Sequence, residues 1–286
     1  MTTSSENPDV TAHLYLQGDP RGGVFPFVVE PFSEDHTGRL AWGYLGNLLL
    51  RCASLHAGQC GFGYDDMQKT RHAWVLSRLV VDLNEMPRTG QEFTIETWVS
   101  SVYRQFTDRL FAITSPSGFV YGYAFSTWAL IDVTTRQPLE FSQLPDGGFS
   151  RYVIERGVPI AGPSRIRLKG ADSPVRTAQA YYSDLDINGH VNSIRYVEMM
   201  LDLFPLSLHD AAPVNRIDVA YSAESHSGDM LSFFMAPSPE GGAGKSDAED
   251  TRLVEIRKGA AQPGTTVVRA ALTFRQNITT NKNTNL

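Results

Sequence analysis

The chain is poor in cysteine: 286 residues carry two, Cys52 and Cys60. Cys52 falls in an apolar helical pattern and Cys60 in a glycine-rich turn. Reduced thiols in a cytoplasmic protein are therefore expected rather than a disulfide framework. Long apolar runs are also missing. None approaches the ~20 residues of a membrane span, so no stable membrane association is expected. The opening MTTSSENPDVTAHLYLQGDP has no apolar core and carries acidic residues, which argues against a secretory leader or transit peptide. Excess positive charge is absent: a net charge of −6 disfavours a nucleic-acid binder held by a general basic field, while leaving room for a local basic patch. There is no CxxC pair and no HExxH, so no metal and no resident cofactor are expected, and no GxSxG elbow, so a hydrolase serine has no support. Gly61-Phe-Gly63 lacks a strand–helix context and reads as a turn. What is present, 42% hydrophobic and 20% charged residues, is the composition of a globular chain with an ample core.

One segment concentrates chemistry. Ser183-Asp-Leu-Asp-Ile-Asn-Gly-His-Val-Asn-Ser-Ile-Arg-Tyr-Val-Glu198 places Asp186, Asn188 and His190 at alternate positions before a helical pattern. In an extended entry to a helix, residues i, i+2 and i+4 project to one side. A carboxylate, an amide and an imidazole then meet beside N–H groups that lack intrahelical partners. Such a cluster can bind a carbonyl oxygen, orient a water and move a proton. Alone, Asp-x-Asn before a helix reads as a cap or Asx-turn, and Asn192 reads as the helix cap.

The chain also says the same thing twice. With Gly38 set on Gly189, Ser33-Glu-Asp-His-Thr-Gly-Arg-Leu40 faces Asp184-Leu-Asp-Ile-Asn-Gly-His-Val191. Asp35 meets Asp186, Thr37 meets Asn188 and Arg39 meets His190. A helical stripe follows each: Trp42, Leu45, Leu48/Leu49, Cys52 and Leu55 in the first, and Ile194, Val197, Met200/Leu201 and Phe204 in the second, ended by Pro205. Strand-like runs follow both helices, at 74–83, 92–101, 109–114 and 118–132, and then at 214–221, 230–236, 252–257 and 265–275. One helix followed by several long antiparallel strands, twice over, describes two fused hot-dog units of the α+β class. The expected organisation is a first repeat over 1–142, a connector over 143–174 and a second repeat over 175–286, with a polar loop over 237–250 and a frayed tail.

These residues resemble the acyl-acyl carrier protein thioesterases over roughly 25–276. The resemblance is carried by Asp184-Leu-Asp-Ile-Asn-Gly-His-Val-Asn-Ser-Ile-Arg-Tyr-Val197. In the first half it rests on Trp74-Val-Leu-Ser-Arg78, Thr97-Trp98 and Ser126-Thr-Trp-Ala-Leu-Ile-Asp-Val-Thr-Thr-Arg136. It implies a double hot-dog that hydrolyses the thioester between a fatty acyl chain and acyl carrier protein (ACP). It also implies a catalytic set of Asp186, Asn188, His190 and a glutamate that maps onto Glu224. Plant members commonly carry a cysteine after that glutamate; Ser225 stands there, so a thiol nucleophile cannot operate at this position. His226, though close, reads as a loop residue.

In the chemistry expected, Glu224, helped by Asn188 or His190, deprotonates a water. The N–H groups near Val191 and Asn192 would hold the oxyanion, and Asp186 would orient a neighbour. Covalent attack by a carboxylate is the other route. The first copy has Thr37 and Arg39 for the amide and imidazole, and Met86 opposite Glu224, so its expected role is acyl-chain binding, with Trp42, Tyr44 and Leu45 as lining. ACP is acidic, so docking needs a local positive surface. Arg165, Arg167 and Lys169 are the candidates, with Arg151, Arg156, Arg195 and Arg216 behind them. A thioesterase acting on acyl-coenzyme A and a non-hydrolytic acyl-binding module are the alternatives. Because the pair of units lies in one chain, a monomer or a homodimer is equally consistent.

Overall fold

The structure, a computed structural model, describes residues 16, 18–143, 149–237, 249–259 and 264–275. The tail beyond 275 and the polar loop, apart from its strand-bound ends, lie outside the described residues. Two compact units, Met1–Ser164 and Arg165–Leu286, divide the chain within the segment expected to connect the repeats.

The first unit runs β1 (Gly23–Val28), α1 (Trp42–Gln59), α2 (Tyr64–Lys69), β2 (His72–Leu83), β3 (Glu92–Tyr103), β4 (Phe106–Thr114) and β5 (Val120–Asp132). Its strands pair antiparallel in the order β1-β3-β4-β5-β2. The second unit runs β6 (Arg176–Gln179), α3 (Ser193–Leu201), α4 (Leu206–Ala211), β7 (Val214–Tyr221), β8 (Met230–Pro237), β9 (Glu249–Lys258) and β10 (Thr265–Arg275). Its antiparallel order, β6-β8-β9-β10-β7, is the first topology repeated. The fold is a tandem double hot-dog.

The eight long strands form where β-branched and aromatic residues cluster, as expected. Sequence reading missed β1 and β6, the edge strands. β1 contains Pro26, which an edge position tolerates, and β6 is four polar or small residues, Arg-Thr-Ala-Gln. The ladders slip by one residue between Leu76 and Arg78 and between Val99 and Ser101. Such bulges bend a strand and sharpen its twist, which lets a sheet curl around a helix.

Helix α1 buries Leu45, Leu48, Leu49, Cys52, Ala53, His56 and Ala57. The stripe differs from expectation at its end: Leu55 is 45% exposed and His56 is 1% exposed. At 3.6 residues per turn the line through Cys52 and Ala53 continues to 56 and 57, not to 55. On one face of the first sheet Val99 and Leu130 pack with Phe62, Phe141 and Phe149. On the other, Trp98 and Leu110 meet Ile154, Val158 and Ile160 of the connector, and the Trp98 indole N–H donates to the carbonyl of Arg156 at 2.9 Å. The second helix stops at Leu201, short of the expected Phe204; Pro205 instead caps α4. Phe204 turns onto Phe274 of β10, with ring centroids 4.9 Å apart. No helix among the described residues is long and apolar enough to cross a membrane.

A charged group sits inside the first unit. Arg109 on β4 is 4% exposed and donates to His56 Nδ1 at 2.8 Å and to Thr97 Oγ1 at 3.2 Å. A guanidinium can only donate, so His56 Nδ1 must carry a lone pair. Its Nε2–H then donates to the carbonyl of Arg21 at 2.9 Å. Burial, reinforced by the Arg109 charge, pulls the imidazole down to about 4, so it is neutral at pH 7.

This arrangement makes stability depend on pH. In the unfolded chain His56 takes up a proton near its ordinary value of about 6.5; in the folded chain it does so only near 4. Between those values the unfolded state binds more protons, so stability falls as pH falls, by up to about 3 kcal/mol in all. Urea unfolding from pH 7 to 4 should show this loss. His56→Gln, whose amide can both accept and donate, should flatten that part of the profile. Parallel profiles for the two proteins would show that the imidazole is not its source.

Candidate active site

The loop before α3 is built by one carboxylate. Asp186 Oδ1 accepts the backbone N–H groups of Asn188 at 2.8 Å and His190 at 3.2 Å, while Oδ2 faces the Asn188 amide nitrogen at 3.4 Å. Around it the chain turns back on itself, with Asp186 N–H donating to the His190 carbonyl at 2.7 Å and Gly189 N–H to the Asp186 carbonyl at 3.0 Å. Gly189 has φ +76°, a left-handed conformation that costs glycine little. Asn192 then caps α3, its side chain accepting Ile194 N–H at 2.8 Å, as expected.

The first copy repeats this construction. Asp35 Oδ1 accepts Thr37 N–H at 2.8 Å and Arg39 N–H at 3.3 Å, and Gly38 has φ +71°. Leu40 N–H donates to the Pro87 carbonyl as Val191 N–H does to that of Ser225, both at 2.8 Å. Arg39 bridges Arg88 where His190 bridges His226. One backbone thus presents two side-chain sets. Arg39, Met86 and Arg88 stand in the first unit where His190, Glu224 and His226 stand in the second.

The second set brings ionisable groups together. His190 Nε2 lies 3.4 Å from Glu224 Oε2, with side chains 22% and 32% exposed. Glu224 lies in the loop between β7 and β8. From β9, Lys258 Nζ donates to the Glu224 carbonyl and pairs with Asp229 at 3.7 Å. Ser225 is fully buried, whereas the His190 and Glu224 side chains are partly exposed. Among the described residues no group of three or more His, Cys, Asp or Glu could hold a metal ion. The pair can accept and return a proton, and the Asn188 amide, on the same loop as His190, can donate a hydrogen bond.

Comparison with known proteins assigns this arrangement to a family. Residues 27–143 match the acyl-ACP thioesterase N-terminal domain and residues 170–276 match the C-terminal domain. The chain belongs to the acyl-ACP thioesterase family. It is 44% identical to an acyl-ACP thioesterase from Bacteroides thetaiotaomicron whose crystal structure covers 89% of this chain and 98% of its own, with a TM-score of 0.80. The 12:0-ACP thioesterase of Umbellularia californica, at 19% identity and a TM-score of 0.76 over 90% of this chain and 95% of its own, shares the fold. Oleoyl-acyl carrier protein thioesterase 1 of Arabidopsis thaliana, named as chloroplastic, is 26% identical over 79% of this chain and 67% of its own length. The chain spans 48% and 43% of two further curated relatives.

Within this acyl-ACP thioesterase fold, one sequence expectation fails. The N–H groups of Val191 and Asn192, proposed as oxyanion donors, are occupied: Val191 donates to the Ser225 carbonyl and Asn192 to that of Asp184, both at 2.8 Å. The cause is the tight closure of the loop, which spends those donors on the backbone. Asp186, expected to orient a neighbour, accepts from the Asn188 backbone and faces its amide nitrogen. Of the residues expected to line the acyl slot, Leu45 is in the core, Trp42 is half-buried and Tyr44 is 42% exposed. Arg165, Arg167 and Lys169 are all exposed and alternate with inward-facing residues, Ile166 among them. Arg195 is committed to Asp184 and Glu198, at 2.8 and 2.5 Å. It lines an open groove of about 510 Å³ with Arg176 and Asp202, which contains none of the four motif residues.

The duplicated turn separates scaffold from chemistry. Asp35→Ala and Asp186→Ala should each cost about 1–3 kcal/mol in urea unfolding, since each strands backbone donors. Only Asp186→Ala should also reduce turnover of an acyl thioester, by about 100-fold, through misplacement of Asn188 and His190. Equal losses of turnover in both variants would refute the division.

Proposed function

We propose that the chain hydrolyses the thioester of fatty acyl-ACP, releasing free fatty acid and holo-ACP and so ending fatty acid synthesis. The observation that carries this reading is the His190–Glu224 pair at 3.4 Å, with Asn188 of the His190 loop held by Asp186, in a chain of this family. A separation of 3.4 Å is long for a direct hydrogen bond, and such contacts tighten when substrate binds. Glu224 and His190 orient a water and take its proton as its oxygen adds to the thioester carbonyl. The second N–H of the Asn188 amide faces the developing oxyanion, since the N–H groups of Val191 and Asn192 are already used. Collapse of the tetrahedral intermediate breaks the C–S bond, and the pair returns the proton to the leaving thiolate. Asp186 serves as a positioning group. No cofactor of the protein's own is needed, because the phosphopantetheine arm belongs to the substrate.

The first unit holds the acyl chain in this reading, with Leu45 and the half-buried Trp42 on the packed side of α1 and Tyr44 at its exposed margin. Met86, 9% exposed where Glu224 stands in the other copy, supports a binding role without proton transfer. The unpaired thiols of Cys52 and Cys60 support a reducing, cytoplasmic location.

Glu224→Gln and His190→Ala should each lower kcat by about 10²–10⁴-fold with little change in melting temperature. The assay follows free thiol and free fatty acid over a panel of acyl-ACP and acyl-coenzyme A substrates. Near-normal turnover by Glu224→Gln would sink the assignment. A preference for acyl-coenzyme A would move the substrate class, and no hydrolysis of either would leave a binding protein.

The exposed Arg165, Arg167 and Lys169 supply a positive surface for the acidic carrier. Charge reversal, Arg165→Glu with Arg167→Glu, should raise KM for acyl-ACP several-fold. It should also weaken the salt dependence and leave acyl-coenzyme A hydrolysis unchanged. An unaltered KM for acyl-ACP would remove these residues from the docking surface.

A further inference from the structure

The loop that carries Glu224 brings a second imidazole to the site. His226 lies two residues on, bridged by backbone to His190, and the two rings meet edge to face with centroids 5.0 Å apart and planes at 89°. This is the favoured approach of aromatic rings, because the positive edge of one meets the electron-rich face of the other. The ring is presented from a fixed loop. His226 N–H donates to Asp229 Oδ2 at 2.9 Å, and Asp229 N–H returns a bond to the His226 carbonyl at 3.1 Å. Lys258 fastens both ends of this turn, through the Glu224 carbonyl and the Asp229 carboxylate. The first copy keeps the backbone bridge but carries Arg39 and Arg88 on it, so the ring pair belongs to the second unit alone.

We propose that His226 is a positioning residue for His190. Its ring restrains rotation of the catalytic imidazole and keeps Nε2 directed at Glu224. The inference rests on the thioesterase reading above and adds a residue to that site. The effect comes from the ring's shape and quadrupole, so an aromatic ring without ionisable nitrogens can replace it.

The test uses the full chain and one acyl thioester substrate. His226→Ala should lower kcat about three- to tenfold, the fold-change that corresponds to an aromatic pair of this kind. KM and melting temperature should stay close to those of the unaltered protein, as befits an exposed side chain. His226→Phe should restore kcat to within about twofold. In a His190→Ala background, His226→Ala should have no further effect, because the residue acts through that imidazole. Unchanged kcat in His226→Ala overturns the inference, as does a Phe variant no better than Ala, or full additivity with His190→Ala. If His190→Ala itself turns over normally, the catalytic assignment of His190 falls and this inference with it. Loss in His190→Ala without loss in His226→Ala overturns the inference alone.

Discussion

The site depends on a carboxylate that accepts from the backbone. Asp186 gathers the N–H groups of Asn188 and His190, and this closure shapes the turn from which both side chains project. Net stabilisation from each such bond is modest, about 1–3 kcal/mol where a charge accepts. Its geometric consequence is larger. With the turn closed by Gly189, the imidazole is carried to the strand-connecting loop that bears Glu224, and Val191 and Asn192 are tied down behind it. A looser loop would leave more donors free for substrate and fewer fixed side chains to use them.

Asp35 performs the same closure in the first unit, so the turn itself does not distinguish the units. The units differ in what the turn displays. Arg39 and Arg88 on the bridge, with Met86 nearly buried, leave no carboxylate at the mapped position. His190, Glu224 and His226 on the same backbone supply one carboxylate and two imidazoles. The two units therefore present equivalent backbone frames that carry different side chains.

Much of this was legible in the sequence because it is local. The Asp186-x-Asn188-x-His190 spacing, the Asn192 cap and the stripe of α1 up to Cys52 all follow from nearest-neighbour periodicity. What escaped was set by distant partners. The buried Arg109–His56 contact joins residues 53 apart, and neither residue announces the other. β6 carries little strand propensity and β1 is interrupted by Pro26; both pair where β8 and β3 offer them edges. The occupied N–H groups of Val191 and Asn192 were missed for the same reason: one of their acceptors, the Ser225 carbonyl, arrives from beyond β7.

His226 shows where the two kinds of information meet. Its sequence position two residues after Glu224 places it on the same side of an extended segment, yet spacing alone does not say what it faces. The bridge to His190 supplies that, and Asp229 and Lys258 supply the rigidity. A partly exposed side chain on a loop would ordinarily sample several rotamers, and a histidine–glutamate pair at 3.4 Å has little attraction to hold it there. Restraint must then come from neighbours whose own positions are fixed, and in this unit those neighbours are a backbone turn on one side and an aromatic ring on the other.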